Sequence, residues 1–121
     1  KQWLDDVLTY GWAYGPGGNA LAGKEWLSAI STGGPADSYQ AGGYNRFSMS
    51  EFLKPLVQTA SLLQTVFLPP FIFHGAVVAD SEAIRASADA LLDYIRNPLL
   101  DPQKKLAALQ AKMESEGVKL E

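Results

Sequence analysis

The chain has 121 residues, 47% apolar and 19% charged, with a formal net charge of −3, the composition of one globular domain with a core of ordinary size. It has no cysteine and one histidine, which excludes disulfides and thiolate chemistry and leaves no ligand cluster for a dedicated metal site. The basic residues are scattered from Lys1 to Lys119, so no patch suggests nucleic acid, and no run of ~18 apolar residues could span a membrane.

The chain opens at Lys1 without an initiator Met, already inside a helical pattern of Trp3, Leu4, Val7 and Leu8. It therefore reads as starting in the middle of a protein, so the absence of a signal peptide, which would favour the cytoplasm, carries no weight here. The first helix should stop at Thr9-Tyr10-Gly11, with Gly11 as the terminating residue. Trp12 to Asn19 is too rich in Gly and Pro for helix or strand and is predicted as a loop. Its aromatics Trp12 and Tyr14 either pack onto their own core or stand at a subunit interface or over a ligand.

Lys24 to Ile30 is predicted as a buried strand that turns abruptly small and polar at Ser31-Thr32-Gly33-Gly34. A strand ending in hydroxyls and glycines reads as the mouth of a binding loop, because glycine lets the backbone approach a flat ligand. Ligands in open α/β sheets sit beyond the carboxyl ends of the strands. The following loop runs to about Ser48 and is long enough to suggest function. Ser48 and Glu51 can form a capping box for a helix carrying Phe52, Leu53, Leu56, Val57, Ala60 and Leu63. Pro55 predicts a bend or irregular turn near its start.

Phe67 to Ala76 is predicted as a second buried strand, with Pro69 and Pro70 just before its core and His74 near its carboxyl end, where a structural hydrogen-bonded role is expected. Asp80 or Ser81 should cap a helix bearing Ile84, Ala88, Leu91, Leu92 and Ile95, which Asn97-Pro98 ends. Pro102 to Ser115 should form a last helix, lightly packed as an appendage. Alternating strands and helices predict an α/β fold with a parallel sheet and helices on both faces. Two strands cannot hold such a sheet alone, so further strands are expected upstream.

Trp3-Leu-Asp-Asp-Val-Leu, Gly11-Trp-Ala-Tyr-Gly, Ser31-Thr-Gly-Gly, Tyr39-Gln-Ala-Gly-Gly-Tyr-Asn, Pro55-Leu-Val-Gln-Thr and Leu68-Pro-Pro-Phe occur in one order. Together they resemble the flavodoxin-like NAD(P)H:quinone oxidoreductases of the DT-diaphorase type. The bacterial branch that includes ancillary subunits of glutathione-gated potassium efflux systems looks closest. The resemblance makes residues 1–96 the C-terminal part of a flavodoxin-like domain, holding the fourth and fifth of five parallel strands. It leaves 97–121 as a helical extension, and the first three strands with their phosphate-binding loop lie outside the sequence.

The resemblance also implies roles. Thr32, Gly33 and Gly34 would lie along a flavin ring, FMN or FAD, and Tyr39 near its pyrimidine edge. Many members carry a histidine in the region where Tyr44 and Asn45 stand here, so that histidine's part cannot be carried over. Tyr39 and Tyr44 are the candidate catalytic side chains. Trp12 and Tyr14 resemble a loop that crosses a homodimer interface toward the other subunit's flavin and acceptor. The implied activity is two-electron, ping-pong transfer from NAD(P)H to a quinone. Such chemistry asks for donors facing negative charge in a dry site and for no nucleophile or general-base pair, which fits the residues present. The rival reading is a regulatory subunit whose contact with a membrane transporter, at the inner face of the membrane, matters more than its flavin. A third is an inactive fragment.

Overall fold

A computed structural model describes residues 1–117. Helix α1 spans Gln2–Val7. The loop after it closes on itself: Ala13 N–H bonds Thr9 O at 2.9 Å and Gly11 N–H bonds Tyr14 O at 2.8 Å. Ala13, between the two exposed or half-buried aromatics, is wholly buried.

Each predicted strand is observed as two short pieces. The first gives β1 (Glu25–Trp26) and β2 (Ala29–Ser31), and the second gives β3 (Val66–Phe67) and β4 (Phe71–Phe73). β1 pairs in parallel with β3 and β2 with β4, in two separate ladders. Glu25 faces Val66 and Trp26 faces Phe67, but Ala29 faces Phe71, so the register slips by one residue between the ladders. The cause is chemical. Pro69 and Pro70 have no N–H to donate, so the ladder resumes only at Phe71, whose N–H reaches Ser28 O at 2.9 Å. Leu68-Pro69-Pro70 thus opposes Leu27-Ser28 as a bulge. The Pro69 carbonyl accepts from the Tyr94 hydroxyl at 2.7 Å instead.

The local signals in the helical segments are realised. Ser48 and Glu51 form both halves of a capping box on α2 (Met49–Phe52). Pro55 splits the predicted helix, which restarts after Leu53 as α3 (Lys54–Leu62) with the proline in its first turn. Asp80 caps α4 (Ser81–Arg96) by accepting from Ala83 N–H, and Asp101 caps α5 (Pro102–Ser115). α5 has no buried residue and is tied to β1 by Lys104 Nζ to Glu25 Oε1 at 2.8 Å.

Within this chain the strands are only partly covered. Among the described residues the buried apolar side chains are Ala13, Leu53, Ala60, Leu63 and Leu68, and no strand residue is buried. Trp26, Ile30, Val66, Phe67 and Phe71–Phe73 are only half-buried, because each piece has one paired neighbour. In α4 the half-buried face is Ala83, Ser87, Leu91 and Tyr94, with Tyr94 against Phe71 at 5.5 Å between ring centroids. Ile84, Leu92 and Ile95 instead stand about half exposed.

Candidate functional site

The carboxyl ends of β2 and β4 run on in register past the strands, and this continuation builds the site. Thr32 N–H donates to Phe73 O at 2.9 Å, Ala76 N–H to Thr32 O at 2.8 Å, and Gly75 N–H to Gly34 O at 2.9 Å. The turn Thr32-Gly33-Gly34 is thereby stitched to Phe73–Ala76. Because a trans peptide sets N–H antiparallel to the preceding C=O, the Gly33 N–H points away from Ala76. Among the described residues, the N–H groups of Gly33 and Gly34 meet no protein acceptor.

Thr32 is buried, and its hydroxyl lies 2.9 Å from both the Gly34 carbonyl oxygen and His74 Nδ1. The His74 ring stands against Tyr39, centroids 5.5 Å apart and tilted by 35°. Tyr39 in turn meets Phe52 edge-on, and Phe52 meets Phe47 edge-on, both at 6.1 Å. A row of rings therefore leads from the strand ends to α2 and fixes the long loop over the turn. Ser38 is buried beside Gly34, and Asn45 N–H folds the loop back onto Ser38 O at 2.9 Å.

Side chains crowd the Cβ positions of both glycines. A Cβ on Gly33 would lie 3.0 Å from Val77 Cγ2, and one on Gly34 would lie 3.3 Å from Ser38 Oγ and 3.6 Å from the Tyr39 hydroxyl. The space a side chain would take is thus filled by protein, and what remains for a ligand is the backbone face with its free N–H groups. The structure brings Thr32, Gly33, Gly34 and Tyr39 together. It leaves Tyr44 91% exposed, and no hydrogen bond or ring contact joins it to the turn among the described residues.

Trp12 is 46% exposed. Tyr14 is half-buried, packs edge-on against Tyr10 at 5.7 Å, and borders a hollow of about 550 Å³ with Leu4, Leu8, Leu56 and Leu63. Neither is bonded to the Thr32 turn among the described residues. That hollow lies between α1 and α3, away from the strand ends. His74 has the hydrogen-bonded role expected of it, but its partner is Thr32, which makes it part of the site. The strand register brings this about: Ser31 opposite Phe73 puts Thr32 opposite His74.

No described helix is long and apolar enough to cross a membrane, and no metal-binding cluster is found among the described residues. Residues 1–95 match the family described by the flavodoxin-like fold. A Bacillus subtilis protein named uncharacterized NAD(P)H oxidoreductase YdeQ is 46% identical over 115 residues, 95% of this chain and 58% of its own length. The glutathione-regulated potassium-efflux system ancillary protein KefG of Serratia proteamaculans is 44% identical over 99 residues, 82% of this chain and 54% of its own. The chain thus spans a little over half the length of these relatives.

Among solved structures, a thermophilic tryptophan halogenase from Streptomycin violaceusniger superposes with a TM-score of 0.75 at 42% identity, over 79% of this chain and 56% of that one. General stress protein 14 of Treponema denticola, solved in complex with FMN, gives 0.68 at 44% identity, over 78% and 56%. An NADPH-quinone reductase from P. pentosaceus gives 0.70 at 31%, over 79% and 56%. With parallel strands joined through helices, a match over most of its length and relatives near half identical, the chain belongs to the family with the flavodoxin-like fold.

Proposed function

We propose that this chain supplies the strand-end turn of an FMN-dependent NAD(P)H oxidoreductase that reduces quinones by two electrons. The observation that carries the reading is the pair of free N–H groups at Gly33 and Gly34, held at the ends of parallel strands beneath Tyr39. The fold alone does not select a reaction, as the differently named neighbours show, so the reading rests on the site. A bound flavin would supply the relay of a hydride from nicotinamide to acceptor. The residues present suit it: backbone donors and the Tyr39 hydroxyl face the position where negative charge would gather, in a setting that Thr32 and Ser38 line from beneath. Tyr44 would act only from the rim.

FMN is favoured over FAD by the FMN complex of a relative 44% identical. Trp12, exposed on a self-closed loop, is offered to a second subunit of a homodimer, with Tyr14 as its support. Residues 97–121 would be an extension outside the flavin domain, which agrees with a family match ending at residue 95. A cytoplasmic protein fits this role. The test, on protein spanning the full length of these relatives, is titration with FMN and assay with NADPH and a simple quinone. Parent protein should bind FMN, and Gly34→Val, which drives branched methyls into Ser38 and Tyr39, should bind it about tenfold less tightly. Equal binding by both would remove the turn from the site. A second reading, regulation of a membrane transporter, is favoured by the similarity to KefG. Binding to a transporter-bearing membrane that survives removal of FMN would support it.

A further inference from the structure

The Thr32 hydroxyl has one proton and two neighbours at 2.9 Å, the Gly34 carbonyl oxygen and His74 Nδ1. A carbonyl can only accept. If the hydroxyl donated to Nδ1, two oxygen lone pairs would face each other at hydrogen-bond distance with no proton between them. The hydroxyl proton therefore lies toward Gly34, and Nδ1 must carry a proton of its own to make the second contact. That selects one tautomer of the neutral ring, protonated at Nδ1 and bare at Nε2.

We propose that His74 is a positioning residue of the turn, whose Nδ1–H holds the Thr32 hydroxyl on the Gly34 carbonyl and so anchors the far end of the turn, leaving the two peptides that present the free N–H groups held between that anchor and Thr32. Three observations agree with it. The Gly34 carbonyl takes a second bond from Gly75 N–H at 2.9 Å, so both its lone pairs are engaged and the Gly34–Pro35 peptide, which closes the turn after the two glycine N–H groups, cannot rotate without breaking two bonds. The Thr32 carbonyl is pinned by Ala76 N–H, which orients the Gly33 N–H. Tyr39, packed on the imidazole at 5.5 Å, keeps the ring plane aimed at Thr32. His74, two residues from Ala76 and packed on Tyr39, joins the turn, the second strand end and the long loop. The tautomer follows from geometry alone; its consequence for binding rests on the turn being the flavin contact.

The tautomer is read directly by nitrogen NMR of protein labelled at histidine, the His74→Gln variant identifying the signal. Nδ1 should be protonated and Nε2 bare. Thr32→Val, which removes the acceptor, should return the ring to the Nε2–H form, and Thr32→Ser should keep Nδ1–H. An Nε2–H ring in the parent, or an Nδ1–H ring unmoved by Thr32→Val, overturns the proposal. FMN titration supplies the positioning test. His74→Asn places an amide N–H where Nδ1 stands and should bind FMN within about twofold of the parent, while His74→Leu should lose about fivefold to tenfold. Equal affinity in both variants overturns the positioning role. If the parent itself binds no FMN, the functional reading fails while the NMR result still decides the tautomer.

Discussion

Two glycine-rich segments, residues 9–20 and the turn Thr32–Gly34, look alike as text and are built in opposite ways. The first closes on itself: Trp12 and Ala13 N–H both reach Thr9 O, Gly18 N–H reaches Gly15 O, and Ala20 N–H reaches Trp12 O. Its glycines answer a folding need, since a Cβ on Gly18 would run into the Tyr14 backbone and Gly15 sits at φ +79° under the Tyr10 ring. The second is held from outside, by residues 73–76, and its own two glycine N–H groups are left over. There an added Cβ would meet only side chains. A loop closed on its own backbone can present side chains, and a turn whose carbonyls are pinned by a neighbouring strand can present donors. Glycine marks both, for different reasons.

The largest effect should come from breaking the self-closed loop. Gly18→Ala forces the chain off the Tyr14 carbonyl and should cost about 3 kcal/mol, read by urea denaturation. A loss under about 1 kcal/mol would mean the loop relaxes freely and is less built than it looks. At the turn, Tyr39→Phe in flavin-loaded protein should lower turnover about tenfold, or about 1.4 kcal/mol, with flavin still bound. A rate within about twofold of the parent would show that the backbone donors act without the hydroxyl. Trp12→Ala should separate display from stability. Dimer dissociation should rise about fivefold to tenfold by sedimentation, while the unfolding midpoint in urea barely moves. A large stability loss with an intact dimer would assign Trp12 to its own core.

Smaller effects test what steadies each region. Tyr94→Phe releases the bulge carbonyl at Pro69 and should cost about 1 kcal/mol, because that carbonyl lost its ladder partner to the prolines. No change would mean water replaces the hydroxyl. The smallest effect concerns the capping box. The Ser48 backbone N–H, and then its hydroxyl, hold the Glu51 carboxyl below its ordinary value of 4.5. A depressed carboxylate stabilises the fold above the unfolded value and stops doing so as pH falls through the folded one. Stability should therefore decline slightly from pH 4.5 downward, and Glu51→Gln should flatten that slope in urea melts across the acid range. An unchanged slope would leave the box without a measurable share.

What the sequence by itself determined is what residues within about four positions of one another decide. Ser48 and Glu51, Asp80 and Ala83, the break before Pro55 and the stop at Asn97 all act through local backbone bonds, and they stand where the spacing puts them. The Thr32-Gly33-Gly34 turn was legible as a strand end, and Tyr39 as its neighbour through the family resemblance. Only the tertiary structure decided what depends on pairing 42 residues apart. The register slip at Pro69-Pro70 requires knowing which strand lies alongside, since a missing donor matters only where an acceptor waits. The face that α4 turns to Phe71 was set by Tyr94 reaching the bulge, against an apolar stripe that points elsewhere. His74 became part of the site because β2 and β4 end level, so that one imidazole meets one hydroxyl; no window of sequence around either residue contains the other.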